Sequence, residues 1–150
     1  MAVIDANKTN KPFINDRDNT IQIGLDMPFR VGNTGEGWGA STQTTLNAVS
    51  NNLKNLIATE IGERLYQPNL GVALRQYLFQ PFGQDVIDGV SQSIFEAVGY
   101  WLPFININDI KINMSENQAG DFKGVMEVSV VFSLKRDPNT LESIQVTIGG

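Results

Sequence analysis

The sequence predicts an α+β fold: two long helices and a short helix packed on a three-stranded antiparallel sheet, with an extended N-terminal arm and strand ahead of them. Three patterns carry this reading. Apolar residues recur at helical spacing between about residues 42 and 101, they alternate at strand spacing in the last third, and the first 19 residues show no period. At 150 residues, 41% of them apolar, the chain is long enough for one domain with a substantial core. The expected division is an arm with an extended and loop segment over 1–40 and an α+β domain over 41–150.

Residues 1–19 are polar, as in an arm that is mobile or takes its shape from a partner. In 20–31, Ile21, Ile23 and Leu25 alternate with polar or small residues, a strand pattern, and Pro28 confines that strand to a sheet edge. Residues 32–40 hold four glycines around Trp38 and read as a loop. Ser41 or Thr42 can cap a helix over roughly 42–60, with a stripe of Leu46, Val49, Leu53, Leu56 and Ile57. Gly62 reads as its left-handed terminator, and Arg64 as a cation suited to the helix C-terminus. Residues 70–79 can form a short helix with Leu70, Leu74, Tyr77 and Leu78 on one side, closed by Pro81. A second long helix runs from about Gln84 to Trp101, with Asp85 and Asp88 in its first turn and Ile87, Val90, Ile94, Val98 and Trp101 as its stripe. Pro103 stops it, because the residue before a proline avoids helical geometry.

The last third changes period. Ile105, Ile107, Ile110, Ile112 and Met114 describe a strand with a bulge near Asn108 and Asp109. Residues 115–121 are turn chemistry. Met126, Val128, Val130, Phe132 and Leu134 alternate strictly with smaller or polar residues. Asp137-Pro138, within 135–139, signals a turn, and Ile144, Val146 and Ile148 form the final strand. The simplest arrangement is an antiparallel meander with one face on the helices.

Composition narrows the chemistry. The net charge of −5 is spread along the chain, and Lys and Arg are scattered, so there is no footprint for nucleic acid or an anionic membrane. Without cysteine there is no disulfide, thiolate metal site or Cys nucleophile. Without histidine the commonest general base and metal ligand are gone. No cofactor and no small-molecule substrate are expected. The N-terminus is unlike a signal peptide and no apolar run approaches the roughly 18 residues of a membrane span, so the expectation is a soluble chain made in the cytoplasm.

The most informative stretch is 61–81, IGERLYQPNLGVALRQYLFQP. Gly62 and Arg64 in a turn, Pro68 and Gly71 as a Pro-x-x-Gly step, Leu74, Leu78 and Phe79 in a short helix, and Asp137-Pro138 in the last hairpin follow one another in an ordered set. With the two long helices and three strands, this set over about residues 46–148 resembles the small baseplate-wedge subunit of contractile tails. That family includes the lysozyme-like wedge protein of T-even phages and the corresponding baseplate protein of type VI secretion. The resemblance implies a structural role without catalysis, in the sixfold wedge of the virion's tail baseplate. It implies wedge scaffold proteins and the tail sheath protein as partners, with tube or hub proteins nearby. Family members have a fold similar to the inner domain of the sheath protein and offer a sheet that the first sheath ring extends with its own strands. Here that margin would be Ile144, Gln145, Val146, Thr147 and Ile148. Many members carry Glu-Pro-Arg at the end of the long helix, where it docks on the wedge scaffold. This chain has Leu102, Pro103 and Phe104 instead, which keeps the proline, removes both charges and leaves an apolar contact in their place.

Each candidate also has a plainer reading. Glu63 and Arg64 are either an interaction knob or a helix-end turn whose charges face water or pair locally, Arg64 with a carboxylate such as Glu60. Leu102, Pro103 and Phe104 are either a docking site or a helix stop with Phe104 in the core. Ile144, Val146 and Ile148 can line a core strand and a recruiting margin at once, since Gln145 and Thr147 point outward and neither Lys nor Pro follows Glu142. Trp38 either anchors a partner or folds back on its own domain. Its glycines lack the Lys-Ser/Thr ending of a phosphate loop. Some relatives are described as lysozymes, so a peptidoglycan-cleaving domain is an alternative. It needs two carboxylates roughly 5–9.5 Å apart, one in an apolar setting. Glu63 is the nearest candidate acid, but its turn reads as solvated. A further alternative is the equivalent component of a type VI secretion or other contractile injection machine. The altered tripeptide and the long arm argue for a phage.

Overall fold

A computed structural model describes residues 22–26, 30–32, 39–42, 44–81, 83–115 and 125–149. The arm over 1–19, Pro28, Trp38 with most of its glycine loop, and the turn over 116–121 lie outside the described residues. In chain order the elements are β1 (Gly24–Leu25), β2 (Ser41–Thr42), α1 (Thr45–Ala58), a 3₁₀ turn (Arg75–Tyr77), α2 (Gln84–Trp101), β3 (Ile105–Ser115), β4 (Val125–Leu134) and β5 (Asp137–Gly149). β1 and β2 form a small separate pair, and the main sheet is antiparallel in the order β3-β4-β5. The α+β class, the two long helices and the meander are therefore as the sequence predicts.

β4 sits in the middle because it has the strictest alternation. Met126, Val128, Val130 and Phe132 are fully buried on the helix side. Register adds to this: Val130 lies between Ile110 and Ile144, and Val128 between Ile112 and Val146. Aliphatic side chains thus abut across all three strands, each burial being worth about 1.5–3 kcal/mol. α1 lies mainly against β5 and α2 against β3. Their stripes, with Leu53 and Ile57 from α1 and Val90 and Ile94 from α2, close the core.

α2 has the expected bounds. Its N–H ladder ends where Leu102 leaves helical geometry ahead of Pro103, with the Leu102 N–H still reaching Val98 O at 2.8 Å. α1 differs at both ends. Thr44, not Ser41 or Thr42, is its cap, with its hydroxyl accepting from Asn47 N–H. Ser41 and Thr42 are already committed to pairing with Gly24 and Leu25. Asn51 secures that pair to α1 through Nδ2 to Leu25 O at 3.1 Å. At the other end Thr59, buried and extended, stops the helix by turning its N–H and its hydroxyl back to Asn55 O, at 3.1 and 2.6 Å. Gly62 has positive φ, but it serves the turn that follows.

The short helix expected over 70–79 is only the three-residue 3₁₀ turn, although Val72, Leu74 and Leu78 are buried. Gly71 accounts for the shortening. Its φ of +134° brings the chain back against the end of α1, so close that a Cβ would stand 2.4 Å from Thr59 O. The last hairpin turns at Lys135 and Arg136, one step earlier than expected. Asp137 already pairs with Leu134, and the pairing resumes only at Leu141 opposite Ser133. Pro138, Asn139 and Thr140 are the extra residues of that irregularity. The bulge in β3 falls at Asn108 as expected, and Ser133 Oγ donates to Asn108 Oδ1 at 3.0 Å.

The glycines give sharp expectations. Gly71→Ala combines positive φ with a backbone collision and is expected to lower stability by about 2–4 kcal/mol in denaturant unfolding. On α2, a Cβ at Gly89 would stand 2.9 Å from the ring of Tyr77, whereas one at Gly99 would meet nothing. Gly89→Ala is expected to destabilise by about 1–2 kcal/mol, while Gly99→Ala stabilises by about 1 kcal/mol through helix propensity alone. Thermal melts of the two variants should therefore move in opposite directions.

Candidate functional site

No single cleft gathers the candidate residues. They fall on three surfaces: the loop after α1, the corner between α2 and β3, and the margin of β5.

The loop over 59–72 leaves α1 and returns to it. Val72 N–H bonds to Thr59 O at 2.9 Å and Gly62 N–H to Pro68 O at 2.7 Å, like rungs between an outgoing and a returning arm. Glu63 N–H bonds to Glu60 O, and Leu70 N–H to Gln67 O, at 3.2 and 3.1 Å. The Pro-x-x-Gly step thus has a physical purpose: Pro68 supplies a carbonyl to the rung and Gly71 permits the close return. Glu63 Oε2 accepts from Glu60 N–H at 3.1 Å, and Arg64 Nη2 donates to Asn55 Oδ1 at 3.1 Å. Both side chains are exposed, and both bond locally, Glu63 within the loop and Arg64 to the last turn of α1. The local partner of Arg64 is Asn55 rather than Glu60. Between this bracing and Pro68, Leu65 and Tyr66 are 95% and 98% exposed. Sequence reasoning passes over these two. The available signal is a pair of large apolar residues flanked by charge on one side and Gln67-Pro68 on the other.

At the corner, Leu102 is half-buried against the core, Pro103 is exposed, and Ile105 N–H closes the turn onto Leu102 O at 3.0 Å. Phe104 is 45% exposed, so the reading that put it in the core does not hold. Its carbonyl accepts from Lys135 N–H at 3.0 Å, which ties the corner to the last hairpin. Among the described residues no hydrogen bond or ion pair joins this corner to the loop of Glu63 and Arg64.

On β5, Ile144 and Val146 are buried and Ile148 is half-buried, all on the helix side, while Gln145 and Thr147 are exposed on the other face. β5 pairs with β4 on one side, and no described strand pairs with it on the other. The two margins of the sheet differ. β3 is interrupted by its bulge and carries Asp109 and Lys111, whose charged groups lie 3.8 Å apart. β5 has its Pro138 irregularity before Leu141, and runs without Lys or Pro from there to Gly149. Bulges, Lys and Pro are the usual means of keeping a margin from pairing. They lie on β3 and at the start of β5, and not over 143–149.

Among the described residues no three Asp, Glu, His or Cys side chains gather to hold a metal ion, and no helix is long and apolar enough to cross a membrane.

Comparison with known proteins gives a consistent result. The fold is similar to a candidate tail lysozyme from Geobacter sulfurreducens, with a TM-score of 0.55 and 16% identity over 71% of this chain and 91% of that one. It is similar also to a chain of the sixfold-symmetrised anti-feeding prophage baseplate, with a TM-score of 0.58 and 19% identity over 73% and 82% of the two chains. At these identities the likenesses speak for the fold alone. No curated protein sequence matches the chain. Residues 43–139, well over half of the chain, match the family described as baseplate wedge protein gp25. The chain belongs to the baseplate wedge protein gp25 family.

Proposed function

We propose that this chain is a structural component of the baseplate wedge of a contractile phage tail, and that it initiates sheath assembly by offering β5 for strand addition. In this reading residues 41–150 are the wedge domain and 1–40 an arm that wraps a neighbouring wedge protein. Leu102, Pro103 and Phe104, together with the loop of Glu63 and Arg64, dock on wedge scaffold proteins. Ile144, Gln145, Val146, Thr147 and Ile148 receive a strand of the tail sheath protein. Tube or hub proteins lie nearby, and the chain's place is the tail baseplate of the virion.

The observation that carries this reading is the asymmetry of the two sheet margins. In β5, Ile144 and Val146 are buried in the core, and the outer N–H and C=O groups have no described strand beside them. An incoming strand satisfies such groups in register, and its side chains then alternate between the two faces of the lengthened sheet. Phe104 supports the scaffold contact, since a half-exposed aromatic at a proline corner suits an interface anchor. The family and the anti-feeding prophage baseplate, a sixfold assembly, fit the same role.

The peptidoglycan-cleaving reading has one point in its favour, the likeness to a candidate tail lysozyme. Glu63, the acid it would need, stands in the open at a turn and accepts a backbone hydrogen bond. A glycosidase places its acid in an apolar cleft beside the sugar. The structural reading is therefore preferred. The equivalent place in a secretion or injection machine would use the same margin.

Deleting residues 141–150 would also remove Ile144 and Val146 from the core, so it tests folding as much as recruitment. Single prolines separate the two. In an antiparallel edge strand, successive N–H groups point alternately toward the neighbour and away from it. Of Gln145→Pro and Val146→Pro, one removes a bond to β4 and lowers the melting temperature, and the other removes only an outward donor. The variant that keeps its stability is expected to enter baseplates and fail to start sheath, scored by electron microscopy of tails. Normal sheath on baseplates carrying that variant would refute strand addition at β5.

A further inference from the structure

We infer that Leu65 and Tyr66 form a preformed apolar knob that inserts into a concave apolar pocket on a different protein of the baseplate. The inference rests on the baseplate reading above and adds a contact that the family resemblance does not assign. Single exposed apolar residues are ordinary on protein surfaces. Two large neighbours at 95% and 98% exposure are another matter, because the fold derives nothing from them. Neither side chain belongs to the core or packs against it.

The loop beneath them is braced. Gly62 to Pro68, Glu63 to Glu60, Leu70 to Gln67 and Val72 to Thr59 are backbone bonds. The Glu63 carboxylate and the Arg64 guanidinium add two more, to Glu60 N–H and to Asn55. A tip held this way loses little freedom when it is bound. The bracing occupies one carboxylate oxygen of Glu63 and one guanidinium nitrogen of Arg64, so both charges flank the tip in fixed positions. The most exposed apolar groups offered to a partner are the Leu65 side chain and the Tyr66 ring with its hydroxyl, with Ile61 half-exposed at the base.

Charge, area and shape choose the occupant. The loop holds Glu60, Glu63 and Arg64 and so has a net negative charge, which does not suit an anionic lipid surface. A second copy of this chain fits no better. Two such side chains present on the order of 400 Å², about half of one partner's share of a standard interface, so the tip needs a pocket that encloses it. A projecting tip facing its own copy would also bury little of that area. A pocket on a different baseplate protein fits: apolar within, with an acceptor for the Tyr66 hydroxyl, and neutral to basic at its rim. Tyr is among the residues that most often anchor such contacts.

The test uses the full chain in tails. A photo-crosslinking phenylalanine analogue is placed at position 66, tails are purified and irradiated, and the joined peptides are identified by mass spectrometry. A crosslink to a different baseplate protein is the expected result. Tails that contain the chain but give a crosslink to a second copy, to lipid or to nothing overturn the knob and leave the baseplate reading standing. Absence of the chain from tails overturns both. In parallel, Leu65→Ser with Tyr66→Ser should leave the melting temperature within about 2 °C of the parent. The same variant should enter baseplates at least about tenfold less, and unchanged incorporation overturns the proposal.

Discussion

The pairing of β5 with β4 on one side, with no described strand on the other, is the constraint on which the rest of the molecule turns. β4 is filled from both sides: its strand neighbours satisfy its backbone, and its buried side chains meet those of both helices. β5 receives half of that treatment. Its inner face is anchored by Ile144 and Val146 beneath α1, and its outer line of peptide groups has no described strand beside it. A strand that is rigid on one side and open on the other is a template. The energetics of the core and the proposed function therefore meet in the same residues: Ile144 and Val146 add to the buried core and lie on the strand whose margin is proposed to recruit.

The other surfaces follow the same logic of firm support behind an unsatisfied front. The corner of Leu102, Pro103 and Phe104 is tied to the last hairpin through the carbonyl of Phe104, yet the Phe104 ring is left partly in water. The loop after α1 uses its charged residues for bracing and its apolar residues for display. All three surfaces adjoin the core, the loop through Val72, the corner through Leu102 and Ile105, and the margin through Ile144 and Val146.

Much of this was legible in the sequence, and the exceptions share a cause. α2 and β4 could be read almost to the residue because one local signal dominated each: a stripe bounded by Pro103, and strict alternation from Met126 to Leu134. The bulge at Asn108 was legible because two isoleucine pairs were out of phase. Readings failed where a distant contact outweighed a local preference. Ser41 and Thr42 are good caps, but the pairing with Gly24 and Leu25 claims them and leaves Thr44 to start α1. Gly62 is a good helix terminator, but Thr59 stops the helix three residues earlier. Residues 70–79 have a helical stripe, but the return at Gly71 allows only a single 3₁₀ turn. On the surfaces, the sequence left Phe104 open between an interface and the core, and the structure exposes its ring in part. Leu65 and Tyr66 were not legible, because apolar residues without a period carry no sign of which way they face.

The claim that β5 has an open margin can be measured on the free, full-length chain by residue-resolved amide hydrogen exchange. The expected pattern over residues 143–148 is alternation: amides bonded to β4 exchange slowly, and those between them exchange close to the rate of unpaired peptide groups. Uniform protection along that run would show the margin already occupied by the chain's own backbone, and would contradict the account.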